Sequence, residues 1–417
     1  MGYFTKDPAL IRKRYLLRSS LVPICLCGSI FGAFKFTMNS SKNKSKLTQS
    51  VHAGSFGDTQ FKGTVTPVFP SSAYDYEGVS GGTMYPRYYN TPNQKAVVEK
   101  LAALENAEDG LILSSGMAAI LTSIFAMMKQ GDHAILQNDL YGGTHSAVAT
   151  ELPRYGMEFT LVDGSDPENF KKAIRPETRI IYIETPSNPT LKITDIKAVA
   201  AIAKQHGLIT IIDNTFASPV NQNPIDLGID IVAHSGTKYI GGHSDICCGA
   251  VLTSKTLAAT IRHSAIHFGG SLDAHTCWLV ERSLKTLVLR VRQQNSNALA
   301  IAQFLMNDSR ITRVYYPGLE THPGHEIAKE QMPGGFGGML SFEIKGDPHR
   351  FMDNLQLIKR AISLGGVEST VTSPAKTSHI KMSEASRKAI GVTDKLARLS
   401  VGIEEPGDLI NDIQQAL

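Results

Sequence analysis

Between about residues 90 and 254 the chain switches repeatedly between two hydrophobic periods. NQKAVVEKLAALENAE (93–108) repeats apolar residues at three and four, the spacing of a helix with one buried face. Short runs of Ile, Val and Leu carry no polar alternation: GLILSS (110–115), HAILQ (133–137), MEFTLVD (157–163), RIIYIET (179–185), LITIIDN (208–214), GIDIVAHS (228–235) and GAVLTS (249–254). Each predicts a strand covered on both faces. GMAAILTSIFAMMKQG (116–131) and DIKAVAAIAKQHG (195–207) predict intervening helices that stop at Gly131 and Gly207. Strands alternating with helices predict an α/β fold with a mainly parallel sheet.

The pattern changes after about residue 285. LKTLVLRVRQQNSNALAIAQFLMND (284–308) predicts one long helix, followed by strands in TRVYYPG (312–318) and GGMLSFEIKG (337–346) and a last helix in GDLINDIQQAL (407–417). The expected organisation is a large domain at 89–288 and a smaller C-terminal α+β domain at 289–417, preceded by an arm at 47–88 and a distinct segment at 1–46.

Charge sharpens that division. Residues 1–46 carry a net +8 and the remaining chain a net −4. The mildly acidic body argues against a nucleic-acid partner, which would need a basic face. Within the first segment, IRKRYLLR precedes LVPICLCGSIFGAF, a basic-then-apolar order like that of a signal peptide. The apolar run is too short and glycine-interrupted for a stable membrane span. Met38 and its polar continuation read equally as an ordinary start, so 1–37 reads as a leader or as an upstream start. Five cysteines make no disulfide framework and point to a reducing, cytoplasmic setting.

Polar residues gather where predicted strands end: Ser114–Ser115, the 184–188 stretch, Asp213–Thr215 and Ser235–Lys238. Ligands of parallel sheets bind beyond those carboxyl ends. A lysine delivered there can form a Schiff base with a carbonyl once its pKa falls below the ordinary value of about 10.4. Pyridoxal phosphate makes three further demands: a carboxylate for its ring nitrogen, donors for its phosphate and packing for its ring. Asp213 answers the first, Gly116 and Met117 at a helix start with Ser235 and Thr237 the second, and Tyr141 the third. Singly, each has an ordinary explanation. Lys238 could be a loop residue, Asp213 a helix cap, Arg398 a structural ion pair and Tyr141 core. Jointly, those explanations leave their convergence on one crevice unaccounted for. His234, His243 and Asp245 show no ligand shell, so no metal is expected. GGHSD lacks the lysine and spacing of a phosphate-binding P-loop.

From about Thr48 onward the chain resembles the Cys/Met-metabolism family of PLP enzymes, through SSGMAAI, LYGGTHS, ETPSNPT, DNTFASP, HSGTKYIGGHSD, LKTL, SLGGVES and RLSVGIEEPGDL. The resemblance implies a type I PLP-dependent transferase fold. It implies that Lys238 carries the cofactor and shuttles protons. Asp213 would hold the ring nitrogen and Asn188 the ring oxygen. Gly116, Met117, Ser235 and Thr237 would bind phosphate. Tyr141 would stack and assist the leaving group. Arg398, with Ser363 nearby, would clamp the substrate carboxylate. Tyr85 and Arg87 would reach the neighbouring subunit's phosphate from the 47–88 arm, making a homodimer or homotetramer. Departures are visible. YPRYYNTPN keeps Tyr85 and Arg87 but alters the following turn. Gly143 stands where methionine γ-lyases place cysteine, which counts against methionine. Glu368 is the acidic residue expected to meet a distal amino group. The resulting expectation is γ-elimination of cystathionine, a small sulfur-containing amino acid. Cystathionine γ-synthase, O-acylhomoserine sulfhydrylase and β-lyase remain open. More distant alternatives are an aminotransferase, which would keep an arginine soon after the lysine, and a non-catalytic scaffold.

Overall fold

The continuous apolar runs become strands in the computed structural model, which describes residues 44–77, 83–377, 380, 384, 387 and 390–417. The segment read as a leader lies outside the described residues except for 44–46. Seven strands follow in the large sheet: β1 (Asp109–Leu113), β2 (His133–Gln137), β3 (Glu158–Val162), β4 (Thr178–Glu184), β5 (Ile209–Asp213), β6 (Ile231–Ser235) and β7 (Gly249–Thr253). Their spatial order is β1-β7-β6-β5-β4-β2-β3. From β6 to β3 every pairing is parallel. β7 runs antiparallel to both β1 and β6. This is the expected mainly parallel α/β sheet.

Burial on two faces explains why the inner strands lack polar alternation, whereas edge strand β3, EFTLV, alternates and is only partly buried. Ile112, Ile135, Ile181, Ile212 and Leu252 pack into one core, while Leu111, Leu136, Ile211, Ile231 and Val251 pack into another. Because β4, β5 and β6 are parallel, Glu184, Asp213 and Ser235 finish at the same edge.

A second sheet of five strands has the order β10-β11-β12-β9-β8, with β8 (Ile311–Tyr315), β9 (Met339–Ile344), β10 (Lys359–Arg360), β11 (Thr370–Thr372) and β12 (Leu396–Ser400). β12 is buried throughout and pairs antiparallel with β9 and β11, which sets Arg398 opposite Ser341 and Thr372. Helices Leu287–Met306 and Pro406–Ala416 cover this sheet through Ile301, Leu305, Leu409 and Ile413.

The long helix predicted at 284–308 forms as Leu287–Met306 and starts three residues later than expected. One helix ends at Leu284 and the next begins at Leu287. Arg290 holds the break: it donates to the Ser283 carbonyl at 3.0 Å and to the Tyr239 carbonyl at 2.8 Å. A side chain from the following helix thus satisfies a carbonyl at the end of the preceding one.

Lys46 starts a helix, Lys46–His52, and does not belong to a free leader. Its Nζ donates to the carbonyls of Leu104 (2.7 Å) and Pro219 (2.5 Å) and to Asn223 Oδ1 (2.5 Å). Among the described residues no helix is long and apolar enough to cross a membrane.

Ile181 sits wholly buried in central β4. Ile181→Ala should lower unfolding stability by about 2–5 kcal/mol through lost burial and the cavity left behind. Urea denaturation checks this; a loss below about 1 kcal/mol would show that the sheet does not depend on this contact.

Candidate active site

Beyond the carboxyl edge of the large sheet lies a cavity of about 660 Å³. It collects ten residues singled out by sequence: Gly116, Met117, Tyr141, Asn188, Asp213, Ser235, Thr237, Lys238, Ser363 and Arg398. They come from seven separate stretches of chain and from both sheets.

Lys238 leaves β6 in a tight turn. Gly241 N donates to the Gly236 carbonyl at 2.8 Å and Gly242 N to the Lys238 carbonyl at 2.7 Å. Gly242 has φ 72°, in the left-handed region that side chains avoid, and a Cβ there would collide with the Arg290 guanidinium. Lys238 Nζ donates to Ser363 Oγ at 2.8 Å. Burial, then the positive charge of Arg398, hold the Lys238 ammonium below its ordinary pKa. Both causes favour the neutral amine that a Schiff base requires.

Ser363 itself has φ 86°, a strained backbone for a non-glycine residue. Its hydroxyl meets Lys238, and its carbonyl accepts from Arg398 Nη2 at 3.4 Å. Arg398 is buried; its Nη1 donates to Asn188 Oδ1 at 2.7 Å, and its Nε has no partner. Burial lowers its pKa to about 10. A buried guanidinium with an unused donor is a ready seat for a carboxylate. Asn188, to which the resemblance gives the cofactor's ring oxygen, thus meets Arg398 through Oδ1.

Asp213 accepts from the Thr215 amide at 2.9 Å, and Thr215 Oγ1 accepts from the Ser235 amide at 2.8 Å. Burial raises the Asp213 carboxyl above the usual range, and the Thr215 hydrogen bonds oppose that shift. A pyridinium cation would complete this acid. At the other end of the cavity, Ser115 caps the helix Gly116–Met127 by accepting from Ala118 N at 3.1 Å, and the Gly116 and Met117 amides open that helix. A Cβ on Gly116 would lie 2.6 Å from Ser235 Cβ, so only glycine leaves this cradle room. Thr237 is less free than expected, since its hydroxyl bonds the backbone of Cys248. Acid, lysine, bare helix N-terminus and hydroxyls together fit pyridoxal phosphate.

Three site residues lie outside this cavity; for Tyr85 and Arg87 the resemblance implies a place at the neighbouring subunit's phosphate instead. Arg87 is exposed, donates to the Ile266 carbonyl at 2.7 Å and lies over the rings of Tyr85 and Tyr88. Tyr85 is likewise exposed. Glu368 is exposed beyond the turn at Gly365 and Gly366, which carries it past the cavity. The residue at the lip is Ile362, one position before Ser363 and 74% exposed. Sequence reading also gave no role to Glu184, Phe216 or Cys247, which line the cavity. Glu184 had a signal, because it ends an apolar strand as Asp213 does. The other two had none. His234 Nε2 bonds Glu105 at 2.6 Å and His243 Nδ1 bonds the Gly241 carbonyl at 2.9 Å, so these histidines do not converge.

A family model described as Cys/Met metabolism PLP-dependent enzyme matches residues 47–417. Cystathionine gamma-lyase of Bacillus subtilis (strain 168) is 45% identical over 377 residues, 89% of this chain and 99% of that protein. Cystathionine beta-lyase of Lactococcus lactis subsp. cremoris (strain MG1363) is 44% identical over 374 residues, 89% of this chain and 98% of that protein. The solved structure of cystathionine gamma-lyase from Lactobacillus plantarum complexed with L-serine aligns with a TM-score of 0.86 at 40% identity, covering 89% of this chain and 98% of that one. The architecture is therefore fold type I of the PLP-dependent enzymes.

In cofactor-free protein, labelling of Lys238 by an amine-directed reagent should rise with pH through a midpoint below that of a solvent lysine. Arg398→Met should move the midpoint upward, because removing a neighbouring positive charge favours the ammonium. Peptide mapping across a pH series reads both; an unshifted midpoint in the parent protein overturns the electrostatic account.

Proposed function

The chain belongs to the Cys/Met metabolism family of PLP-dependent enzymes, and from that premise we propose that it cleaves cystathionine at the γ-carbon–sulfur bond, releasing cysteine, ammonia and 2-oxobutanoate. The observation that carries this reading is the placement of Lys238 Nζ, 2.8 Å from Ser363 Oγ, in one cavity with Tyr141, Asp213 and Arg398. Pyridoxal phosphate, when bound, supplies the aldehyde that takes the substrate amine and a ring that stores the electron pair left by a departing proton.

The chain's residues supply the rest. Asp213 holds the ring nitrogen as a cation, and Gly116, Met117, Ser235 and Thr237 hold the phosphate. Arg398 binds the substrate α-carboxylate, with Ser363 fixing the guanidinium from one side. Lys238 takes the proton from Cα. Loss of a γ-substituent requires a second proton from Cβ, one bond farther along the substrate. Lys238 must give up the first proton before its amine can take the second, and its four-carbon stem lets the one amine reach both positions. Tyr141 stands half-exposed at the mouth, where its phenol can protonate the departing sulfur. Free thiols at Cys247, Cys248 and Cys277 support a reducing, cytoplasmic setting.

The proposed working unit is a homodimer, which can pair into a tetramer. Tyr85 and Arg87 are exposed and line no part of their own cavity, and the preceding arm exposes Phe61, Val65 and Tyr76. An apolar arm ending in a cation fits a second copy of this chain whose phosphate site needs a positive charge.

Incubation of the PLP-loaded protein with L-cystathionine, read by mass spectrometry, should give cysteine and 2-oxobutanoate. Homocysteine and pyruvate would replace this reading with β-elimination. Turnover of O-acylhomoserine with cysteine, and no cleavage, would replace it with synthesis. Lys238→Ala should lose turnover and the visible absorption of the bound cofactor. Subunit mixing tests the dimer: Arg87→Ala and Lys238→Ala proteins, each nearly inactive, should recover activity when unfolded and refolded together. Hybrid pairs then hold one site with both residues intact, and failure to recover would exclude a shared site.

A further inference from the structure

We propose that Glu184 is a positioning residue that seats the Tyr141 ring over the cofactor site through the Tyr141 backbone amide. The inference rests on the reading of Tyr141 as a wall of that site, and it concerns a residue that sequence reading had left without a role.

The contact is direct. Glu184 Oε2 accepts from Tyr141 N at 2.8 Å. The Asn188 amide adds a weaker pull on the same carboxylate. One side chain thus reaches the two loops that carry Tyr141 and Asn188. Glu184 is itself clamped at its backbone: Gln137 Nε2 donates to its carbonyl at 2.7 Å, and Gln137 Oε1 accepts from its amide at 2.9 Å. Gln137 is fully buried, so the brace stands on the sheet and not on a loop.

Tyr141 has few other restraints. It precedes the helix Gly142–Arg154, its side chain provides no cap, and its ring is 42% exposed. Its ring rests on Gly143, where an added Cβ would lie 2.5 Å from Cε1 and 3.1 Å from Cζ. The ring is therefore located by two independent supports, the Glu184 carboxylate behind its amide and the bare Gly143 beneath it. Gly143 acquires a structural purpose here, apart from any choice of sulfur substrate.

A neutral acceptor could serve the same amide, and a buried carboxylate costs more than an amide. The charge has a second use. Glu184 is the register partner of Asp213 across β4 and β5, and it shares the cavity with Lys238 and Arg398. Its negative charge favours the cationic form of Arg398. Burial and the Asp213 carboxylate push the Glu184 carboxyl well up, and the Tyr141 and Asn188 amides pull against that shift.

Hydrogen exchange on cofactor-free protein tests the brace without any turnover. In Glu184→Ala the Tyr141 amide should exchange about tenfold faster, as expected for loss of one charge-assisted hydrogen bond. In Glu184→Gln, whose side-chain oxygen still accepts, protection should stay near that of the parent. Gly143→Ala should leave that amide protected while displacing the ring. After loading with pyridoxal phosphate, Glu184→Ala and Gly143→Ala should both change the visible circular dichroism of the bound cofactor, and Glu184→Gln should change it least. Unaltered Tyr141 exchange in folded Glu184→Ala would overturn the brace, as would unaltered dichroism in both ring-displacing variants. Neither result depends on which bond of which substrate is cleaved.

Discussion

Burying two cations and two carboxylates in a single cavity is the constraint around which this fold is organised. Lys238 and Arg398 share one cavity with Asp213 and Glu184. Each is costly to bury alone; Lys238 draws the Asp213 carboxyl down and Glu184 supports the Arg398 cation, while the two carboxylates oppose one another, as do the two cations. The four arrive on different elements: β4, β5, the turn after β6, and β12 of the second sheet. Their balance therefore fixes the spacing of three neighbouring strands and the seat of the second sheet against the first. Ser363 shows the same demand at one residue. Its left-handed backbone puts its hydroxyl on Lys238 and its carbonyl on Arg398, a strain that the surrounding contacts must hold in place.

The large sheet was legible because its chemistry is periodic. Runs such as RIIYIE and ITIID can be buried on both faces only as inner strands, and the polar residues at their ends then fall on one edge. That logic located Lys238 and Asp213 before any resemblance was considered. The resemblance added Asn188, just beyond β4, and Arg398 and Ser363, whose positions depend on a second sheet that periodicity barely marks. Where reading failed, the deciding contact was tertiary. The helix break at Lys285 and Thr286 depends on Arg290 reaching back to Ser283 and across to Tyr239. No local propensity announces such a bond.

Glu368 lies outside the cavity of its own chain. In a segment with no helical or strand period, sequence gives no face to its side chains. The motif SLGGVES placed the acid near the site, but the turn at Gly365, with φ 74°, directs the chain away. Ile362 remains at the lip, so the outer wall of the cavity is more apolar than the motif suggested.

The arm before Tyr85 is held by an unusually costly set of contacts. Lys100 is fully buried and donates to the carbonyls of Ser50 and Val51 and to Ser55 Oγ, at the end of the helix Lys46–His52. Burial pushes its pKa down to about 8. Buried Glu281 receives the hydroxyls of Ser55 and Thr66, at 2.6 and 2.8 Å. A segment that only connected elements would need none of these ionisable groups, since loops are normally satisfied by water at the surface. Here two buried charges fix a stretch that then exposes Phe61 and Val65. The arrangement makes physical sense where the position of the arm matters beyond its own subunit. In the proposed dimer, the rigidity of that anchor decides how closely Arg87 meets the neighbouring phosphate, so the same burial of charge that organises the cavity also organises its completion from outside.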